Sequence, residues 1–162
     1  GESGEVCIRG PQVMQGYWKK PEESANAFAD GAFRTGDVGF IDDEGYVFLI
    51  DRLKDLILCG GFNVYPRQVE EAFYLHPAVA EAIVIGVEHP YRGQAPKGYV
   101  VLKEGESVDE ASLLAFLEDK LSKIEQPIGI EFRESLPKTS VGKLSRKDLA
   151  REEAAKAQTA TG

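Results

Sequence analysis

The sequence predicts an α+β protein in which a β-rich opening gives way to a self-sufficient mixed domain, and three observations carry that expectation. Up to Ile50, short apolar runs alternate with glycine-rich turns. Beyond Leu56, strand-like runs alternate with stripes of helical period. Between them, Asp51, Arg52, Lys54 and Asp55 place four charges within five positions, too many for one buried strand. The chain therefore surfaces there, between two packed units. Next, Gly60-Gly61 permits positive φ or the close approach of a bulky group, and Pro66 presets a helix start. An ordinary hairpin-to-helix connection accounts for this spacing as readily as a functional joint.

In the opening unit, Glu5–Arg9 alternates Val6 and Ile8 against polar neighbours, a short strand. A helix starts at Pro21, with Glu22 and Glu23 at its positive end, and stops at Asp30-Gly31. Phe33–Ile41 reads as a strand broken by glycines, and Asp42–Gly45 turns the chain into Tyr46–Ile50. These roughly fifty residues bury too little to be stable alone and are expected to lean on a neighbour.

Past the joint, helix Pro66–Leu75 ends where Pro77 pushes His76 out of helical geometry. Strands Val79–Val87 and Lys97–Lys103 follow, separated by a loop over Glu88–Pro96. Asp109 caps a helix with the stripe Leu113, Leu114, Phe116, Leu117 and Leu121, running to about Lys123. Ile128–Arg133 is a third strand, Leu136–Leu144 a basic loop, and Ser145 caps a last helix that frays over 151–162. The expectation is an antiparallel sheet of about three strands with helices.

The 162 residues are 43% hydrophobic and 28% charged, which excludes a disordered chain. The net charge of −8 excludes a general nucleic-acid binder but leaves room for a local anion site. No apolar run is long enough to span a bilayer, and the location expected is cytoplasmic. Cys7 and Cys59 are too far apart for a CxxC clip, and with His76 and His89 they make no zinc set, so no metal ligand is assigned. The opening GESGEVCIRG runs straight from a Gly/Glu turn into a strand, as though cut from a longer protein.

Few positions suggest chemistry. Asp37, among small neighbours in Thr35–Gly39, could accept both hydroxyls of a vicinal diol, although on spacing alone a turn aspartate is the commoner explanation. Arg52 could pair with the same diol or a phosphate, or form a surface ion pair. Lys138, Lys143, Arg146 and Lys147 crowd an otherwise acidic chain, and Gly142 gives the backbone freedom to deliver Lys143 to an anion; the alternative is a solvated basic loop.

At these residues the sequence resembles the acyl-adenylate-forming enzymes: acyl-CoA synthetases, luciferases and peptide-synthetase adenylation domains. Gly4-Glu5-Val6-Cys7-Ile8-Arg9-Gly10 through Gly16-Tyr17 resembles their GELxIxG…GY segment, and Phe33-Arg34-Thr35-Gly36-Asp37 their YRTGD. Asp51-Arg52-Leu53-Lys54-Asp55 resembles their hinge, and Leu136–Lys143 their closing LPKTxxGK. GFNVYP after the hinge looks most like the fatty-acyl-CoA ligases.

The resemblance implies the end of a large N-terminal domain over 1–51, a hinge over 52–55 and a mobile C-terminal α+β domain over 56–150, with a missing N-terminal domain as partner. It implies ATP with Mg, a carboxylic acid and CoA as substrates of the parent, none tightly bound here, and a fragment inactive alone. By resemblance, Asp37 and Arg52 bind ATP or AMP, Lys143 is catalytic, Lys54 is the pivot, and Gly60, Gly61 and Asn63 face the pantetheine of CoA. Loading of a carrier protein, or a non-catalytic interaction domain of the same fold, are the alternatives. Three positions depart from the pattern: Leu58 where some relatives carry a lysine, Gln94 where glutamate is usual, and Glu125 where a basic or small residue is common.

Overall fold

In the computed structural model, which describes the backbone of residues 1–160 and side chains through 156, the chain divides into two compact units, Gly1–Lys54 and Asp55–Gly162. The first holds β1 (Gly4–Ile8), α1 (Pro21–Asn26), β2 (Phe28–Ala29), β3 (Ala32–Ile41) and β4 (Val47–Arg52), the four strands forming one antiparallel sheet with β3 at its centre. β3 is continuous over ten residues, not broken by its glycines. Gly39 is the reason: a Cβ there would stand 2.4 Å from the Phe48 carbonyl oxygen, so its bareness lets β4 approach. α1 ends earlier than the sequence suggests, because Phe28 and Ala29 leave it to pair with Phe33 and Ala32. A single 3₁₀ turn, Leu53–Asp55, follows β4.

The second unit contains β5 (Ile57–Cys59), β6 (Phe62–Val64), α2 (Pro66–Tyr74), β7 (Val79–His89), β8 (Gly93–Leu102), α3 (Glu110–Leu117), β9 (Ile130–Phe132) and α4 (Arg146–Ala160). Its sheet has five strands, not three, and β9 runs parallel to β8, so the antiparallel expectation fails at that strand. Three-residue β5, β6 and β9 are too short to carry a periodic signal of their own. The expected loop over Glu88–Pro96 is mostly strand. β7 and β8 stay paired from Val79↔Leu102 out to His89↔Gly93, with polar Glu88, His89 and Gln94 at the outer end of the hairpin.

Alternation along this hairpin builds a core on each face of the sheet. Ala82, Val84 and Val100 face Val69 and Phe73 of α2 and Leu113 and Leu117 of α3. Ile83, Ile85 and Tyr99 face Leu136 and Leu149. Gly98 fits α2 to the sheet, since a Cβ there would lie 2.6 Å from Phe73 Cζ.

α3 stops at Leu117, six residues short of the expected end; Gln126 Nε2 donates to the Leu117 carbonyl at 2.8 Å. The backbone is helical from Arg146 through Ala160, and residues 161–162, the end of the expected frayed tail, lie outside the described ones. α4 is held by charge. Glu153 accepts from the Tyr99 hydroxyl and the Lys97 ammonium, both at 2.5 Å, Lys156 pairs with Glu131 at 2.9 Å, and Arg133 with Glu152 at 2.6 Å. Burial, then the bond to Glu153, pushes the Tyr99 hydroxyl far above the usual tyrosine range.

Candidate functional site

In the first unit the candidate residues are positioned by β3 and β4. Asp37 and Arg52 are cross-strand neighbours, with Arg52 Nε donating to Asp37 Oδ1 at 3.0 Å. The stretch of β3 before Asp37 is pinned by groups the sequence did not single out. Glu5 of β1 accepts from Gly36 N–H at 3.2 Å through one oxygen and from Arg34 Nε at 2.9 Å through the other. Thr35 Oγ1 donates to the Val6 carbonyl at 2.7 Å and accepts from Asp37 N–H at 3.1 Å. Gly36 has φ +72°, which fits glycine at that step. Asp37 thus borders a cleft of about 830 Å³ lined also by Val6, Ile8, Thr35, Ile41 and Leu49. The arrangement can do two things at once: a carboxylate open on one side to a diol, and a guanidinium beside it to balance charge.

In the second unit, Gly60-Gly61 is the two-residue turn of the β5–β6 hairpin, with φ +59° and +84°. Such a turn needs positive φ at both positions. A Cβ at either glycine would meet open space, so the requirement within this chain is backbone conformation, not crowding. Asn63 is exposed on β6, opposite Leu58. Leu58 points outward because Ile57 and Cys59 point in, and its N–H is held by Gln94 Oε1 at 3.1 Å. Glu125 has a local task as well, accepting from Ser122 N–H at 2.9 Å to close the turn after α3.

Lys143 sits on a small hairpin. Thr139 N–H donates to the Lys143 carbonyl at 2.7 Å, Gly142 N–H to the Thr139 carbonyl at 2.9 Å, and Lys143 N–H to Thr139 Oγ1 at 3.2 Å. Gly142, at φ +79°, makes the reversal. The Lys143 side chain is exposed, and no described residue pairs with its ammonium, whereas Lys138 at the hairpin's base is tied to Glu81 at 2.6 Å. Lys54 is exposed within the 3₁₀ turn and is the last residue of the first unit. The structure therefore brings Asp37 and Arg52 together, gathers Gly60, Gly61 and Asn63 in one hairpin, and presents Lys143 on its own.

Residues 68–143 match the AMP-binding enzyme C-terminal domain. Over 152 residues the chain is 50% identical to a long-chain-fatty-acid–CoA ligase of Bacillus subtilis, a match covering 94% of this chain and 27% of that protein. It is 46% identical over 150 residues to a 2-succinylbenzoate–CoA ligase of Geobacillus kaustophilus, covering 93% of this chain and 31% of that one. Among solved structures, ATP-bound MatB from Rhodopseudomonas palustris superposes with TM-score 0.87 at 40% identity, covering 94% of this chain and 30% of MatB. The amide bond synthetase McbA from Marinactinospora thermotolerans superposes with TM-score 0.86 at 39% identity, covering 94% and 31%. The chain spans less than a third of the length of each of these relatives. The matched segment lies wholly within the second unit, so it is that unit which is similar to the AMP-binding enzyme C-terminal domain.

Proposed function

We propose that this chain is the C-terminal part of an ATP-dependent, AMP-forming acyl-CoA ligase that activates a fatty acid. One observation carries the reading: the Gly142 turn holds out a lysine whose ammonium has no partner among the described residues, in a segment matching the AMP-binding C-terminal domain. An unpaired cation on a closed hairpin is suited to meet an anion brought to it.

In the first step a carboxylate oxygen attacks the α-phosphorus of ATP, and the bond to the bridging oxygen breaks to release pyrophosphate and leave an acyl-AMP. Lys143 balances the charge that grows on the α-phosphate and bridging oxygens. Asp37 accepts from the ribose hydroxyls, and Arg52, donating to it from the neighbouring strand, holds it in orientation. Mg enters with the phosphates of ATP. In the second step the thiol of CoA attacks the acyl carbon and AMP leaves. Lys54 is the pivot between the steps, and the Gly60-Gly61 turn with Asn63 then faces the pantetheine arm. The missing N-terminal domain supplies the remaining pockets, and the 162-residue chain alone is inactive.

The test is acid-dependent ATP–pyrophosphate exchange by the full-length parent, across fatty and aromatic acids. Exchange with a fatty acid, lost at least about 100-fold in Lys143→Ala, supports the proposal. Exchange that is indifferent to Lys143 overturns its role, and no exchange with any acid overturns the ligase. The likeness to an amide bond synthetase favours a second reading, in which an amine is the acceptor. Product formation with CoA against product formation with amines separates the two.

A further inference from the structure

Arg146 and Lys147 open α4, so two cations stand at the end of a helix where the macrodipole disfavours positive charge, against the single acid of that turn, Asp148, which accepts from Ser145 Oγ at 2.6 Å. Something must compensate. Arg146 Nη2 meets Glu70 Oε2 at 2.5 Å and its Nε meets Glu70 Oε1 at 3.0 Å, while Nη1 reaches Asp55 Oδ2 at 3.5 Å. Glu70 lies on the inner face of α2, 9% exposed, and its Oε1 also accepts the Val84 N–H of β7 at 2.9 Å. This forked guanidinium–carboxylate pair fixes direction as well as distance, which a lysine would not reproduce.

The connectivity gives the pair its meaning. Arg146 stands three residues after Lys143, Asp55 directly follows Lys54, and Glu70 is rooted in both α2 and β7. One guanidinium thus ties the root of the lysine hairpin to the unit's core and to its first residue. The hairpin's ends are also seated by Leu136 and Leu144 on the sheet core, while its other ion pair, Lys138 to Glu81, has side chains 45% and 30% exposed and is screened by solvent. The Arg146 and Glu70 side chains are 25% and 12% exposed.

We infer that Arg146, clamped by Glu70 and steered by Asp55, is a positioning residue that aims Lys143, and that it serves the adenylation step and not thiol transfer. The inference rests on the ligase reading for its choice of step, but the clamp itself has a readout independent of activity. In the 162-residue chain, Arg146→Gln lowers the ¹⁵N order parameters of the Gly142 and Lys143 amides while those of β7 and β8 keep their wild-type values. Unchanged order at the hairpin overturns the clamp. In the full-length parent, Arg146→Gln lowers kcat for pyrophosphate exchange about tenfold with little change in KM for ATP. Transfer from preformed acyl-adenylate to CoA stays within about twofold of wild type.

Glu70→Gln reproduces the selective loss, and the double variant is no worse than Arg146→Gln alone, because the two act as one unit. Equal loss in both half-reactions overturns the assignment to adenylation and marks a general packing role. Loosening of the hairpin in a parent that exchanges pyrophosphate with no acid overturns the ligase reading, and the choice of step with it, while the clamp stands.

Discussion

The two units spend their apolar residues in opposite ways. In Gly1–Lys54, Ala32 and Val38 are the buried apolar residues, while Trp18, Tyr46, Val47, Phe48 and Leu49 are exposed. In the unit from Asp55 onward, buried clusters lie on both faces of the sheet, with Phe73, Tyr99, Leu113, Leu117 and Leu149 fully inside. Exposed apolar area of that extent marks a surface meant to be covered. The second unit carries its own stability; the first has hardly a core to draw on. The candidate groups differ in the same sense. Asp37 and Arg52 owe their placement to polar clamps on a thin sheet, whereas Arg146, which holds the lysine hairpin, is anchored on a packed helix.

The sharpest way to break this contrast is at Phe73. Phe73→Ala removes a fully buried ring from the α2 side of the core and should destabilise the second unit by about 3–5 kcal/mol. Phe48→Ala, on a 47% exposed residue of the first unit whose ring stacks on Phe40, should cost about 0.5–1.5 kcal/mol. Urea unfolding of the chain, with the two variants compared by midpoint, checks both. Similar losses from the two would mean that the first unit has a core after all.

Next in size is Gly98→Ala. The new methyl would lie 2.6 Å from Phe73 Cζ, so α2 must shift or the ring leave its rotamer, at about 1–3 kcal/mol. Gly61→Ala tests a different cost, because its Cβ meets open space while its φ of +84° suits glycine. About 1–2 kcal/mol is expected there, again by denaturant midpoint. A Gly61→Ala variant of wild-type stability would show that the hairpin turn can relax.

A third effect is electrostatic and belongs to the second unit. Burial alone would push Glu131 upward, but hydrogen bonds and charge from Lys156 and Arg133 outweigh it and hold the carboxyl at about 2. A depressed folded-state pKa means that the stabilisation is fully present above the unfolded carboxylate range and is lost as pH falls toward 2. Stability measured from pH 6 downward should decline by on the order of 1 kcal/mol more in wild type than in Glu131→Gln, after screening is allowed for. Parallel profiles would remove Glu131 from the account of how α4 is held.

How much of this was legible in the sequence depends on the scale of the signal. α2, α3 and the β7–β8 hairpin core announce themselves because Val69, Phe73, Leu113, Leu117 and Ile83–Ile85 follow the helical and strand periods. β5, β6 and β9 are too brief for a period, and the outer end of the hairpin looks like a loop because Glu88, His89, Gly93, Gln94 and Pro96 give no apolar alternation and pairing there is between backbones. Asp37 and Lys143 stand out by their glycine neighbours, and Arg52 by the charges crowded around it. Glu5, Thr35 and Glu70 do not, and Arg146 shows only as one member of a basic cluster, since what makes them matter is a partner 29 to 76 residues away in sequence. One local clue existed: two basic residues opening α4 violate the usual charge preference of a helix start, and such a violation asks for an acidic partner.

The smallest stability effect is expected where the proposed function is largest. Arg52 and Asp37 form their pair with side chains 55% and 31% exposed, in high dielectric on a sheet face. Arg52→Ala should therefore cost the chain less than about 1 kcal/mol, within the range of exposed ion pairs. In the full-length parent the same change leaves Asp37 without its cation and should raise KM for ATP about tenfold, the equivalent of losing one charge-assisted contact. Denaturant midpoints on the chain and exchange kinetics on the parent make the two readings separable. A large stability loss with unchanged KM would assign Arg52 to holding β3 and β4 together, and would leave the ribose to Asp37 alone.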